Sequence, residues 1–275
     1  MNLKELLKEK LTKEELRIAK TSFDIVGDIA VLEIPEELEK KEKTIAEAVM
    51  QVHKNVVVVA KKVGPTAGVE RIRPVEVVLG ENRTETIHLE NNCKFKVDLN
   101  KVYFSPRLCS ERLRVTEIAG TNEKIFDLFA GVGPFAIPLA KKGNEVIAID
   151  INADAIEYLK ENAKLNKVEK NITSFVGDAQ KIVNENKWSN QADRIIMNLP
   201  MSSEEYLDTA FDLGKPGTVV HFYCFIDEEN LYTEGVDKIK EAAEKNNCFV
   251  EILNKKKCGQ LAPRVWRVAI DFKIV

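Results

Sequence analysis

The sequence predicts an α/β fold: a mostly parallel sheet of seven strands, covered by helices on both faces and preceded by a small α+β module. Three observations carry this. From residue 124 onward short apolar runs alternate with segments of helical period; the first run ends in a glycine turn; and before residue 100 the texture changes to closely spaced short strands around one helix. The expected boundary places the small module at residues 1–104 and the larger domain at 105–275.

The elements of the larger domain follow in order. "KIFDLFA" reads as a strand, "PFAIPLAKKG" as a helix opened by Pro134 and closed at Gly143, and "EVIAIDI" as the next strand. "ADAIEYLKENAKLNK" puts Ala153, Ile156, Leu159 and Ala163 on one helical face, and Asn152 or Asp154 can cap its start. "ITSFVGD", "DRIIMNL" and "TVVHFYCF" are further strands, with helices near 178–186, 203–213 and 233–246 between them. "CFVEILNKKK" and "RVWRVAIDFKIV" are two strands joined by a turn, the antiparallel addition to a parallel sheet. In the small module "SFDIVGDIAVLEI" is strand-like, "KKEKTIAEAVMQVHK" helical, and "NVVVVAKK", "PVEVVLG", "TETIHLE" and "CKFKVDLN" are short strands. The helix-like "SERLRVTEIA", within 101–119, couples the two.

Composition narrows the class. A chain of 275 residues, 44% hydrophobic, can bury two cores. No apolar run approaches 18 residues, so no membrane span is expected, and the charged start "MNLKELLKEKLTKEEL" does not suit a secretory signal. The five cysteines form no C-x-x-C pair and the three histidines lie far apart, which argues against a disulfide framework and against a metal site. A soluble, cytoplasmic monomer is expected, and abundant Lys and Glu hint at a thermophile. The net charge of −3 does not mark a nucleic-acid binder, but its distribution is uneven. "NKKKCGQLAPRVWRV" carries Lys255, Lys256, Lys257, Arg264 and Arg267 with no acid, and Lys101, Arg107, Arg112 and Arg114 stand against Glu111 alone. These runs are either phosphate-contacting surface or solvated loops.

The turn "FDLFAGVGPF" raises the question of its ligand. In a doubly wound sheet the ligand lies beyond the carboxyl ends of the strands, where glycines let the backbone approach it. Asp150, ending the second strand, can accept both hydroxyls of a ribose, which suits NAD and S-adenosylmethionine alike. Two details favour the second. After Gly131 and Gly133 come Pro134, Phe135 and Ala136, so the third glycine that packs around a pyrophosphate is missing. Asp127 would repel a pyrophosphate but attract the ammonium of a methionine tail. Asp178, after the third strand, can bond an adenine amino group or simply cap the next helix.

Two further motifs emerge near the same end. "MNLP" places Asn198 and Pro200 after the fourth strand, where the amide can both accept and donate to a nucleobase edge. "VYFSPRLCSERLR" is expected to align Arg107, Glu111 and Arg114 on one helical face, and "GVERIRP" offers Arg71 and Arg73 on a loop.

Together, "GVERIRPVEVVLG", "CKFKVDLNKVYFSPRLCSERLR", "DLFAGVGPFAIPLAKKG" and "NLPMSSEEYLD" resemble the archaeal and eukaryotic tRNA (guanine-37-N1)-methyltransferases over nearly the whole chain. The resemblance implies a class I S-adenosylmethionine-dependent methyltransferase, with S-adenosylhomocysteine as the spent donor and the tRNA anticodon stem-loop as partner. It implies that Glu111 is the general base for guanine N1, that Arg71 (or Arg73, two residues on) stabilises charge on O6, and that Asn198 positions the base. Tyr103, Arg107, Asp127, Phe129, Gly131, Gly133, Asp150, Asn152, Asp178, Asn198 and Pro200 would line the pocket. A close relative, the aminocarboxypropyltransferase of wyosine synthesis, uses the same donor; "GVGPF" with "NLP" points to the methylating branch. Some archaeal members also methylate a wyosine intermediate. Family members usually carry a further N-terminal domain that grips the outer corner of the tRNA. This chain begins in what resembles their middle domain, so donor binding and catalysis are expected with weaker or less discriminating tRNA binding. An NAD-dependent oxidoreductase is the competing class, disfavoured by the missing third glycine and the lack of a histidine placed for hydride chemistry. A non-catalytic RNA-binding module is disfavoured by Glu111 together with Asn198.

Overall fold

The structure, a computed structural model, describes residues 2–64 and 72–275 and divides into two compact units, Met1–Arg107 and Leu108–Val275. The first unit opens with helices α1 (Leu3–Lys10) and α2 (Lys13–Ile18), where the sequence reading assigned no element. Each starts with a capping box: Asn2 and Glu5, then Thr12 and Glu15, exchange side-chain and backbone hydrogen bonds. Leu3, Leu6 and Leu7 bury one side of α1 in the core of this unit, with Leu38, Ile45, Val49 and Val59.

Strands β1 (Asp24–Val26), β2 (Ile29–Leu32), β3 (Val58–Lys62) and β4 (Val75–Gly80) form a sheet in that order, with α3 (Glu42–Val52) between β2 and β3. The β2–β3 pair is parallel and the other two antiparallel, as a helical crossover between β2 and β3 requires. A separate hairpin pairs β5 (Glu85–Glu90) with β6 (Cys93–Asp98). Its two turn residues, Asn91 and Asn92, both have positive φ, the conformation that a tight hairpin turn demands and asparagine tolerates.

The second unit begins with α4 (Cys109–Ile118) and then alternates: β7 (Lys124–Asp127), α5 (Ala136–Lys141), β8 (Glu145–Asp150), α6 (Ala153–Leu165), β9 (Ile172–Val176), α7 (Ala179–Asn186), β10 (Ala192–Met197). After α8 (Leu207–Leu213) come β11 (Gly214–Asp227), α9 (Thr233–Lys245), β12 (Val250–Ala262) and β13 (Val265–Ile274). The seven strands order as β12-β13-β11-β10-β7-β8-β9. The pairs among β7 to β11 are parallel, and β13 runs antiparallel to both its neighbours. The expected seven-stranded sheet is therefore present. Its order reverses at β7, flanked by β8 on one side and β10 on the other, which is where such sheets bind ligands.

Two local details differ from the sequence reading. Helix α5 starts at Ala136, so Pro134 sits in the preceding turn rather than opening the helix. Strand β12 runs on beyond the expected end at Lys257 to Ala262, because pairing with β13 holds this polar segment extended. Among the described residues no helix is long and apolar enough to cross a membrane.

Candidate active site

Strand β7 delivers Asp127 to the switch point, and the turn after it is tied to the end of β8. The Ala130 N–H donates to the Ile149 carbonyl at 2.8 Å and the Gly131 N–H to Asp150 Oδ2 at 2.7 Å. Asp150 Oδ1 accepts from the Asn152 N–H at 2.9 Å, and Asn152 in turn caps α6 by accepting from the Ala155 N–H. Gly131 and Gly133 have φ of +52° and +89°. A side chain at Gly131 would point into open space, the side from which a ligand can meet bare backbone. At Gly133 a β-carbon would lie 3.0 Å from Ile137 Cδ1 and 3.3 Å from Leu159 Cγ. Gly133→Ala should therefore lower the stability of this unit by about 1–2 kcal/mol, read as an earlier midpoint in a denaturant melt. Asn162, passed over at the sequence level, is fully buried in α6 and donates its amide to the Val132 carbonyl at 3.1 Å, bracing the turn from below.

Asp127 is fully buried, and neither carboxylate oxygen has a hydrogen-bond partner. Burial, then the neighbouring Asp150, push its carboxyl up to about 7, while the nearby N–H groups of Phe129 and Ala136 pull the other way. A buried, unanswered carboxylate at a strand end is poised for a cationic group. Asn198, directly after β10, has its side-chain oxygen buried and likewise unpartnered. Its turn is held by Ser203, whose hydroxyl lies 2.9 Å from the Met197 carbonyl and 2.8 Å from that of Leu199, and by the Phe225 N–H donating to the Pro200 carbonyl at 3.1 Å. Register places Ile196 opposite Asp127, so the Asn-Leu-Pro turn and the glycine turn leave adjacent strands at one level.

Asp178 takes up the capping role left open by the sequence, accepting from the Lys181 N–H at 3.0 Å; its second oxygen accepts from the Tyr206 hydroxyl at 2.8 Å. The Tyr206 ring meets Phe129 edge-on at 4.9 Å, which links Asp178 to the glycine turn.

Glu111, on α4, is 2% exposed and densely held. Arg114 forks onto it, Nε to Oε2 at 2.9 Å and Nη2 to Oε1 at 2.6 Å, and the Tyr223 hydroxyl donates to Oε1 at 2.8 Å. Burial and Glu111 raise the Tyr223 phenol far above its ordinary range, so it stays a donor. Lys256 Nζ stands 3.5 Å from Oε2, and the Tyr223 ring lies 5.9 Å from Phe135, which follows the glycine turn. The structure thus connects Glu111 to the glycine turn through one aromatic side chain.

The face expected to join Arg107, Glu111 and Arg114 is reduced to the second pair. Helix α4 starts at Cys109, and Arg107 lies in the preceding turn of the first unit, where its Nε donates to Asp24 at 2.6 Å. Tyr103, about half exposed, belongs to the same unit. Arg73 donates to the Gly64 carbonyl at 3.0 Å, and Arg71 lies outside the described residues. The basic run on β12 and β13 is less cationic than its sequence suggests. Lys257 sits 3.4 Å from Glu228 and 4.0 Å over the Trp266 ring, and Arg264 pairs with Glu229.

A parallel sheet whose first strand ends in a buried acid and a glycine turn, bonded to the acid that ends the second, is the framework of the class I methyltransferases. Residues 86–252 match the TRM5/TYW2 methyltransferase domain and residues 3–84 the TYW2 N-terminal domain; the chain belongs to the TRM5/TYW2 family. It is 47% identical over 262 residues to tRNA (guanine(37)-N(1))-methyltransferase Trm5b of Pyrococcus abyssi, covering 95% of this chain and 77% of the relative. The crystal structure of that protein superposes with a TM-score of 0.88, covering 96% of this chain and 78% of the other. A complex of aTrm5 with tRNALeu matches at a TM-score of 0.87 and 38% identity, over 100% of this chain and 78% of the other. The tRNA(Phe) (4-demethylwyosine(37)-C(7)) aminocarboxypropyltransferase of Pyrococcus horikoshii is 32% identical over 99% of this chain and 96% of its own length. P. horikoshii TYW2 in complex with MeSAdo superposes with a TM-score of 0.82 at 30% identity, over 99% and 97% of the two chains.

Proposed function

We propose that this chain transfers a methyl group from S-adenosylmethionine to N1 of guanosine 37 in tRNA, with Glu111 as the general base. The observation that carries this is the Glu111 carboxylate itself, buried, oriented by Arg114 and Tyr223, in a chain 47% identical to a tRNA (guanine(37)-N(1))-methyltransferase. The residues present suit the donor. Asp127, unpartnered and buried, would hold the ammonium; Asp150, at the end of the second strand and tied to the glycine turn, would meet the ribose hydroxyls; and the open side of Gly131 admits the nucleoside. Phe129, Gly133, Asn152, Asp178 and Pro200 complete this wall within the second unit.

The donor supplies an electrophilic methyl and departs as a neutral thioether, so no general acid is needed. Guanine N1 carries a proton at neutral pH, and its lone pair is available only once a base removes that proton. Glu111 Oε2 is the acceptor: Arg114 Nε occupies one of its lone pairs, and the neighbour facing the other, Lys256, is on a long, partly exposed side chain that can withdraw. Negative charge then grows on O6, where a guanidinium is the suitable partner; the sequence resemblance offers Arg71, or Arg73, for that role. Asn198 presents its free amide oxygen to the base edge. A nucleotide beside the anticodon is stacked and must be turned out to reach this pocket. In this reading the enzyme acts as a cytoplasmic monomer on the anticodon stem-loop, and the partly neutralised basic ribbon of β12 and β13 contributes local phosphate contacts.

One observation favours a second reading: residues 3–84 match the TYW2 N-terminal domain, and a TYW2-type relative aligns over 96% of its own length. Transfer of an aminocarboxypropyl group, or methylation of a wyosine intermediate, would use the same pocket. Donor labelled separately in the methyl and the amino-acid carbons separates them. Methyl label on unmodified tRNA, located at guanine N1 and absent when adenine occupies position 37, is the expected result. Amino-acid label appearing only on pre-modified tRNA would assign the chain to the aminocarboxypropyl reaction instead.

A further inference from the structure

Glu111 is one end of a chain of charged and polar groups that crosses the sheet, buried at Glu111, Asp271, His221 and Arg194 and half-buried at Arg114 and Glu123. Arg114, which forks onto Glu111, presents its other edge to Asp271 on β13: Nη1 to Oδ2 at 2.6 Å and Nη2 to Oδ1 at 3.2 Å. Asp271 Oδ1 also lies 2.6 Å from His221 Nδ1, and Oδ2 accepts from Asn254 at 3.2 Å. These contacts follow from register, since His221 of β11 and Asn254 of β12 are the direct cross-strand partners of Asp271. The far ring nitrogen of His221, Nε2, is 2.8 Å from Arg194 Nη1, and Arg194 forks onto Glu123 at 2.7 and 3.0 Å.

The protonation state of this chain can be read from donors alone. A guanidinium has no acceptor, so His221 Nε2 must accept from Arg194, and the imidazole proton sits on Nδ1, directed at Asp271. His221 is therefore neutral, and burial, its largest influence, holds it below the ordinary imidazole range. Burial pushes the Asp271 carboxyl upward, but His221 and Arg114 outweigh it and keep it ionised. One guanidinium is thus shared by two carboxylates, Glu111 and Asp271, with only Glu111 attached to the proposed site.

We propose that Asp271 is a positioning residue for the transfer reaction, holding the Arg114 guanidinium so that Glu111 keeps its orientation and can take up a proton without leaving Arg114 unanswered. This rests on the reading of Glu111 as the base. The proton leaves guanine N1 and bonds to the Glu111 carboxylate, which then loses its charge. A half-buried arginine paired with Glu111 alone would at that moment lose its counter-ion, and the penalty of a poorly solvated, unpaired cation would oppose the step. Asp271 remains ionised and bidentate on Arg114 throughout, so the cation keeps a partner in both states. The same fork fixes the plane of the guanidinium, and through it the plane of the Glu111 carboxylate. Fold stability alone gives little reason to bury this many charges, because apolar residues would serve as well.

The test is a double-mutant cycle on the full chain with unmodified tRNA. Asp271→Asn should lower kcat about 10- to 100-fold, part of what a general base contributes, with KM for donor and tRNA within about twofold. Glu111→Gln should lower kcat further, and the double variant should be no slower than Glu111→Gln, because Asp271 acts only through that carboxylate. Arg114→Lys, which keeps the charge but cannot span both carboxylates, should reproduce the kcat loss; it serves as the second variant should Asp271→Asn fold poorly, as judged by donor binding and thermal midpoint. Unchanged kcat in folded Asp271→Asn or Arg114→Lys, or losses that multiply in the double variant, would overturn the proposal while the base assignment stands. Full activity in Glu111→Gln would overturn the base assignment, and the positioning role with it.

Discussion

Replacing Glu111 with glutamine should reduce kcat for guanine N1 methylation about 10²- to 10⁴-fold, the usual contribution of a positioned general base, while donor affinity changes less than threefold. The isostere keeps the volume of a side chain that is 2% exposed, so no cavity is made. What it removes is the charge and two of the acceptor sites. Arg114 keeps Asp271 through Nη1, and the Tyr223 hydroxyl can still donate to the amide oxygen, so the surrounding groups are not stranded. The amide nitrogen will face Lys256 or Arg114, and the mismatch should cost about 1–3 kcal/mol of stability in this unit. Rapid-quench measurement of a single turnover isolates the proton-transfer and methyl-transfer step from tRNA release. A burst rate equal to that of the wild type would remove Glu111 from the base role. A fall in donor affinity matching the fall in rate would recast it as a structural support of the cofactor turn.

How much of this was legible in the sequence differs sharply between element and site. The strand–helix alternation after residue 124 produced the sheet because each strand there is a short apolar run bounded by a turn, and parallel strands require the helices between them. The first two helices were hidden by their charge: Leu3, Leu6 and Leu7 carry the buried stripe, yet eight of the first sixteen residues, from Lys4 to Glu15, are ionisable and mask it. The capping signatures Asn2–Glu5 and Thr12–Glu15 were available and would have found both. Asp127, Asp150 and Asn198 could be placed at the strand ends, but that Asp127 is fully buried with neither oxygen answered is a property of packing and not of its neighbours in sequence. Asp271 lies 157 residues from Arg114 and 50 from His221, so no local pattern could join them. Helical spacing set Arg114 beside Glu111, but its second partner, Asp271, arrives on β13.

Asp127→Asn should stabilise the ligand-free protein at pH 8 while crippling donor binding, and the two effects have one cause. In the unfolded chain the Asp127 carboxyl ionises near its ordinary value of 3.8; in the fold burial and Asp150 move it to about 7. Between those limits the folded state binds the extra proton, so stability falls as pH rises through that window and is level above it. About three units correspond to roughly 4 kcal/mol lost by pH 7. Asparagine lacks this slope, although its amide, buried without partners, costs about 1–3 kcal/mol at every pH. The stability of the variant relative to wild type should therefore improve by about 2–3 kcal/mol between pH 5 and pH 8, when other titrating groups cancel in the comparison. Calorimetric melts at the two pH values measure it, and a relative stability that does not change with pH would mean that Asp127 does not ionise within the fold. Donor binding should show the reverse preference. On the proposed ammonium contact the wild-type carboxylate must shed its proton first, so affinity should fall toward tenfold per pH unit below about 7, and the donor's own amine loses its charge above about 8. Isothermal titration across pH 5.5 to 8.5 should give a maximum between those values for the wild type and, for Asp127→Asn, a weaker affinity that is flat below pH 7. A wild-type affinity that is equally flat there would take the ammonium contact away from Asp127 and leave its buried charge without a ligand.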